Sequence, residues 1–478
     1  MDYQSTRNKN LRASSTAAVL QGLASDGGLF VAGAPADFDW RAVLKLDTFA
    51  MAEAVLSALL PDFEDMHGLV QRAYTGKFET EELTPLVQVG SRYVLELFRG
   101  PTSAFKDVAL SMLPQLITAA RRQEGVTDEI LILTATSGDT GKAALAGFRD
   151  VPGTRIIVFY PDEGVSKVQK AQMVTQEGGN VCVCAVRGNF DDTQTGVKAI
   201  FSAGVPEGCG VRLSSANSIN IGRLAPQVVY YFKAYAELLR AGRIPLGDRV
   251  DYVVPTGNFG DILAGYLAKR MGLPVGRLVC ASNRNDVLTD FLRTGVYDRR
   301  RPFYKTLSPS MDILVSSNLE RLLYFLCENE AEVAGYMADL KEKGVYTVSP
   351  ALLEKLHDQF GWGCCDDEGT KAAIGRVWRE HGYLMDTHTA VAWSVAEGYE
   401  SDAPVVVLST ASPYKFPAAV LSAIGGDADG DEFDIMDRLH AMTGVPVPKA
   451  LAELRQKPVL HRDVISREEM QAYVLGKL

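Results

Sequence analysis

The strongest constraint on this chain is a set of short, largely apolar runs, each followed by a polar turn. EILILTAT, TRIIVFYP, NVCVCAV, VRLSSAN, RVDYVVPTG, RLVCASN and PVVVLSTA follow one another along the sequence. A strand with one wet face alternates apolar and polar residues, whereas a run without alternation has to be covered on both faces. Between the runs lie SKVQKAQMVTQEGG, DDTQTGVKAIFSAG, RLAPQVVYYFKAYAELLRAG and DILAGYLAKRMG, which read as helices. Strands of this kind alternating with helices predict an α/β fold of parallel sheets covered by helices.

The chain has 478 residues, more than one hydrophobic core ordinarily serves, so several domains are expected. Residues 1–95 read as a mainly helical N-terminal region, with a hairpin in LTPLVQVGSRYVLELF that turns at Gly90 and Ser91. Within it QGLASDGGLFV, with its turn glycines, reads as a loop. Residues 96–220 carry a helix with apolar positions Ala109, Met112, Leu113, Leu116, Ile117 and Ala120, then a smaller α/β domain. A larger α/β domain is expected from 221–284 and 386–430, interrupted by a helical insertion at 285–385 and followed by a helical tail at 431–478.

A formal net charge of −10 sets the surface against phosphate backbones, so no nucleic-acid partner is expected. An anionic substrate would need a local positive site. No apolar run reaches the roughly 18 residues of a membrane span, and the polar start MDYQSTRNKNLRAS leads into no apolar segment. A cytoplasmic protein without membrane association is the expectation. Seven cysteines and six histidines show no ligand spacing, so reduced thiols and no metal are expected. His388 reads as a hydrogen-bonded core or capping histidine.

In parallel sheets, ligands bind beyond the carboxyl ends of the strands. TSGDTG (136–141), TGNFGD (256–261) and STASP (409–413) all stand at such ends. TGNFGD precedes a helix, where free N–H groups and the dipole make an anion site, and Gly257 and Gly260 allow close backbone approach. A plain strand-to-helix turn is the competing reading. TSGDTGK is not a P-loop, because Gly138 and Gly141 are too close and Ala143 follows Lys142. Ser137, Asp139 and Thr140 are instead short polar groups at a helix start, fit for a ligand or for capping. Lys106, in GPTSAFKDVAL (100–110), also begins a helix, where the dipole disfavours a cation. It is either a surface lysine or one whose amine is kept neutral for imine formation.

GPTSAFKD resembles the (H/G)PT-x-AFKD cofactor-lysine motif of the threonine synthases. TATSGDTG, SSANSINIGRLAPQVVYYF (214–232), PTGNFGD (255–261), DTHTAVA (386–392) and LSTASPYKF (408–416) are similar to that family's other segments, in the same order. QGLASDGGLF is similar to its N-terminal part. The resemblance covers essentially the whole chain and is greatest to the longer bacterial and fungal members. It implies pyridoxal-phosphate (PLP) fold type II, the tryptophan-synthase-β-like fold, with pyridoxal 5′-phosphate as cofactor. Lys106 then matches the Schiff-base lysine and catalytic group. Gly257, Asn258, Phe259, Gly260 and Asp261 match the loop around the cofactor phosphate, Thr410 the hydroxyl at the pyridine nitrogen, and Asp139 the group near the 3′-oxygen. Ser137, Gly138 and Thr140 match the loop around the substrate carboxylate, and Thr102 is counted among the substrate-binding positions. Asn217, Ser218, Asn220 and Arg223 match a segment that would grip the substrate phosphate. Lys167 and Lys170 compete for that role or form a solvated helix face. Gly100 stands where some members have His, which reads as subfamily variation.

The implied activity is that of a lyase turning O-phospho-L-homoserine and water into L-threonine and phosphate, by γ-elimination and β-addition of water, in a monomer or homodimer. A neutral hydroxyl such as Thr410 does not hold the pyridine nitrogen protonated, which suits elimination over transamination. Other readings stay open at this level. They are a phospho-lyase giving 2-oxobutyrate from the same substrate, a serine or threonine dehydratase, and a non-catalytic PLP-binding homologue.

Overall fold

In the computed structural model, which describes residues 2–163 and 165–478, alternate residues of each apolar run enter different cores. Ile130, Ile132, Ile156 and Val158 face one cluster, while Leu131, Leu133, Ile157 and Phe159 face another. Tyr252, Val254, Val406 and Leu408 divide in the same way from Val253, Val405 and Val407. The strands therefore form two sheets, each covered on both faces, as runs without alternation require.

One sheet has five parallel strands in the order Asp463–Ile465, Val181–Val186, Thr154–Pro161, Glu129–Ala135, Val211–Ser214. The other has six, in the order Phe360–Cys364, Val275–Ser282, Val250–Pro255, Val405–Ser409, Arg92–Glu96, Leu86–Val89, with the last antiparallel at the edge. Leu86–Val89 and Arg92–Glu96 are the hairpin foreseen at Gly90, whose φ is +57°. Phe360–Cys364 reads FGWGC, and its glycines hide it among helices Glu330–Glu342, Pro350–Gln359 and Asp367–His381. Asp463–Ile465 has three residues, too few for a period to show. The N-terminal helices Ser15–Gln21, Thr48–Leu59 and Met66–Tyr74 are joined by a small antiparallel sheet of Arg12–Ala13, Tyr3–Ser5 and Phe30–Val31. Phe30–Val31 falls at the end of the segment read as a loop. Among the described residues, no helix is long and apolar enough to cross a membrane, and no group of three or more His, Cys, Asp or Glu could hold a metal ion.

Topology decides where the site forms. Arg92–Glu96, Val405–Ser409 and Val250–Pro255 are parallel neighbours, so the segments after them emerge side by side at one edge. Helix Lys106–Gln123 follows the first of these and packs on helix Asp139–Phe148 from the other sheet. The contact is unusually close for a chemical reason. Pro114 has no N–H, so the Leu110 carbonyl lacks its helical donor. Gly147 packs directly on that carbonyl, where a Cβ would stand 1.9 Å from the oxygen.

Gly147→Ala should force the two helices apart and lower stability by about 2 kcal/mol, as overpacking of a filled core does. The midpoint of urea unfolding checks this; an unchanged midpoint would mean that the helices slide without cost.

Candidate active site

The loop that delivers Lys106 is stitched to the loop after Val405–Ser409. The Leu97 N–H donates to the Ser409 carbonyl at 2.9 Å, Phe105 N–H to Thr410 at 2.8 Å and Ser412 N–H to Ser103 at 3.0 Å. Ala104 and Ala411 form an antiparallel bridge within this seam. The side chain of Thr102 is taken up locally: its N–H and hydroxyl donate to the Asp107 carboxylate at 2.8 and 2.5 Å. A Cβ at Gly100 would lie 2.5 Å from the Asp107 Cβ, so the glycine found in place of histidine lets the loop close over that carboxylate.

Lys106 is buried at 8% exposure, the first residue of its helix. Its Nζ lies 3.9 Å from Asp139 Oδ2 and 3.4 Å from Ser310 Oγ, and 4.8 Å from the centre of the Phe105 ring. The other Asp139 oxygen accepts from Lys415 Nζ at 2.7 Å and from Gln169 Nε2 at 2.8 Å. Lys415 is fully buried and donates as well to the Thr102 carbonyl at 3.0 Å. Burial pushes the Lys106 amine below its ordinary value; Asp139 opposes this, while Lys415 and Arg223 add to it. Burial alone would raise the Asp139 carboxyl, but the ammonium groups of Lys415 and Lys106 reverse that and hold it well below the usual carboxylate range.

The loop 256–261 leads into helix Gly260–Arg270, with Phe259 at φ +66° and buried against Phe360. A Cβ on Gly257 would lie 2.7 Å from the Ser310 carbonyl oxygen. Asn318 fixes the loop from the far side by donating its N–H and Nδ2 to the Asn258 carbonyl, both at 3.1 Å. Asn258 itself is exposed. Burial pushes the Asp261 carboxyl up to about 7, against the pull of the Ile262 N–H and of Lys106. Thr410 is buried at the neighbouring strand end.

On the opposite side, Gly138 has φ +151°, a conformation that side chains rarely adopt, and the Thr136 hydroxyl accepts from the Gly138 and Gly141 N–H groups at 3.0 and 2.9 Å. Ser137 is exposed and Thr140 half-buried at this turn. In the next segment Asn217 is exposed, and Ser218 is half-buried with its hydroxyl 3.3 Å from Asn217 Oδ1. Asn220 caps helix Ile221–Arg240, accepting from the Gly222 N–H at 2.8 Å and donating to the Val19 carbonyl at 2.9 Å. Arg223 is buried; it donates through Nη1 to the Ala216 carbonyl, its Nε has no hydrogen-bond partner among the described residues, and burial lowers it to about 10. Lys167 is exposed and Lys170 half-buried, and they pair with Asp431 and Asp162.

The structure thus brings Asp139, Arg223 and Asp261 within electrostatic reach of Lys106, and Thr410 and the 256–261 loop follow neighbouring strands. Sequence reasoning missed Lys415, Gln169 and Ser310. Lys415 lay within a segment already singled out, at a strand's carboxyl end, and that position was the available signal.

Comparison with known proteins accounts for this arrangement. A family model described as pyridoxal-phosphate dependent enzyme matches residues 75–411; models described as threonine synthase N terminus and threonine synthase, C-terminal, match 2–88 and 389–474. The threonine synthase of Pseudomonas aeruginosa is 40% identical over 440 residues, covering 90% of this chain and 91% of its own. The human protein threonine synthase-like 1 is 39% identical over 432 residues, or 85% of this chain, and the match spans 57% of the human protein's length. The crystal structure of PLP-bound threonine synthase from Brucella melitensis aligns with a TM-score of 0.89 and 38% identity, over 100% of this chain and 99% of that one. With its two helix-covered parallel sheets, its lysine at their shared edge and these likenesses over its whole length, the chain belongs to the threonine synthase family of PLP-dependent, fold type II enzymes.

Proposed function

We propose that this protein is a lyase that converts O-phospho-L-homoserine and water into L-threonine and phosphate. The observation that carries the reading is Arg223, a buried cation near Lys106 in addition to Lys415. Arg223 lies close enough to depress the Lys106 amine, and its Nε has no hydrogen-bond partner among the described residues, a need that a substrate phosphate would satisfy. Dehydratase chemistry on serine or threonine has no use for such a group. The residues also fit PLP, since a buried lysine lies within electrostatic reach of Asp261, in a glycine-containing loop that opens a helix. Lys106 would hold the cofactor, residues 257–261 its phosphate, Thr410 its ring nitrogen, and Asp139 would sit on its 3′-oxygen side.

Bound PLP would supply an electron sink for charge developing at the substrate α-carbon. The work of the chain is then proton placement and charge control. Lys106, once released by the substrate amine, holds the α-proton on Nζ and can return it to Cα. Burial depresses its basicity, which favours the uncharged amine over the ammonium. Asp139, tied to Lys415 and Gln169, is a fixed negative wall that limits where Nζ can turn. Arg223 stabilises the departing phosphate dianion. All seven cysteines are free thiols, which fits a reducing compartment, and we place the enzyme in the cytoplasm.

The direct test is to supply O-phospho-L-homoserine to PLP-loaded protein and measure phosphate, threonine and 2-oxobutyrate together. Equal phosphate and threonine are expected, and Lys106→Ala should abolish both. Phosphate with 2-oxobutyrate would make the protein a phospho-lyase, and no phosphate from loaded protein would overturn the substrate. Arg223→Gln should lower kcat/KM about 100-fold, the loss of a hydrogen bond to a charged group, while the visible absorbance of bound PLP is unchanged.

Asp261 gives a pH signature. Its folded-state value, about 7, exceeds its ordinary 3.8, so the folded protein pays nothing below that lower value and an increasing penalty as the pH rises towards 7. Asp261→Asn removes the penalty. In cofactor-free protein the variant's gain in unfolding midpoint over wild type should therefore be larger at pH 8 than at pH 5, and a pH-independent difference would refute the assignment.

A further inference from the structure

Ser310 sits in a single helical turn, Pro309–Met311, that reaches the site from the 285–385 stretch. Its two polar backbone groups and its hydroxyl are all engaged at the active centre. The Ser310 N–H donates to His388 Nε2 at 3.1 Å. The Ser310 carbonyl faces Gly257, where a Cβ would come within 2.7 Å of it. The hydroxyl oxygen is 3.4 Å from Lys106 Nζ.

His388 is in turn fixed. Its Nδ1 lies 2.8 Å from Asp386 Oδ2, and the ring lies 5.0 Å from that of Phe416. Nε2 accepts the Ser310 N–H, so the ring N–H stands on Nδ1 and is donated to Asp386. Asp386 is wholly buried and also accepts from the N–H groups of His388 and Thr389, both at 3.0 Å, and from the Thr389 hydroxyl. From the other side, the turn is anchored by Asp312, which accepts from Thr306 Oγ1 at 2.7 Å and Asn283 Nδ2 at 2.8 Å. The charged groups facing Lys106 are Asp139, Asp261, Lys415 and Arg223, and those facing His388 are Asp386 and Asp312. Asp139 is shared with Lys415, and Lys415 and Arg223 repel a cation, so Ser310 Oγ is the uncharged acceptor within hydrogen-bond distance of the amine.

We propose that Ser310 is a further catalytic residue, which receives the Lys106 amine when it leaves the cofactor, and that His388 and Asp386 are positioning residues that hold it in place. The proposal rests on Lys106 being the cofactor lysine. Displacement would replace the Nζ bond to the cofactor with one from the incoming amine, one of that amine's protons passing to Nζ, so that Lys106 would be released as a free amine. Ser310 Oγ accepts an N–H hydrogen bond from it and keeps its own proton, so nothing is transferred to the serine. The 3.4 Å contact is made by the free amine, the form in which the lysine would be released.

The test uses PLP-loaded protein and hydroxylamine, which displaces the lysine without needing any phosphate-bearing substrate, followed by loss of the visible band. Ser310→Ala should slow displacement about fivefold, the effect of one ordinary hydrogen bond, and Ser310→Thr should restore it to within twofold. His388→Asn should also slow it, and the double variant with Ser310→Ala should be no slower than Ser310→Ala alone. An unchanged or faster rate in Ser310→Ala, or losses that multiply in the double variant, would overturn the proposal. A visible band that survives Lys106→Ala would overturn it through its premise. Protein that loads PLP and shows the predicted rates but leaves O-phospho-L-homoserine unconverted would uphold Ser310 while removing the substrate assignment.

Discussion

Everything in this site turns on a carboxylate taken out of water and held between two ammonium groups. Burying Asp139 costs more than a single exposed ion pair could return, and the structure answers with Lys415 at 2.7 Å and Lys106 at 3.9 Å. Asp139 comes from the five-stranded sheet, while both lysines come from segments that follow strands of the six-stranded sheet. The triplet is therefore a joint between the two sheets as well as a charge arrangement. It also explains why two lysines are present. In its proposed imine-forming role Lys106 surrenders its ordinary ammonium for part of each cycle, and Lys415 then remains to keep Asp139 from being a lone buried charge.

Much of the fold could be read directly. Runs such as EILILTAT and PVVVLSTA have no alternation, and two-sided burial follows from that alone. FGWGC could not be read, since strand preference comes from side-chain packing and glycine has none to offer. The three-residue strand Asp463–Ile465 and the two-residue strands near the N-terminus are made by tertiary pairing. No local pattern that short carries information.

The site divides along the same line. Loops at strand ends announce themselves, because parallel topology favours ligand contacts there, and Asp139 and the 256–261 loop were read from such places, whereas Lys106 was read from a helix start and its motif. The segment 217–223 was less informative. In sequence Asn220 and Arg223 look alike as polar groups at a helix start, but Asn220 caps the helix and contacts Val19, while Arg223 Nε has no partner among the described residues. Ser310 lay beyond reach altogether. It arrives from a segment with no strand-end signature, and its place depends on a histidine 78 positions away.

The order of the six-stranded sheet has a consequence for how the molecule comes into being. Val405–Ser409 lies in its interior, between Val250–Pro255 and Arg92–Glu96, yet every other strand of that sheet precedes it in the sequence. A nascent chain emerging from the ribosome therefore presents two incomplete half-sheets, each with a bare edge where the missing strand belongs. Pairing across so long a stretch of chain is slow, because the entropy of closing the loop is spent before the contacts form. Until that strand inserts, the seam that carries Lys106 has nothing to fasten to. Capture of the proposed cofactor would thereby wait on insertion of that strand, and the half-built intermediate is the species that chaperones would have to shield.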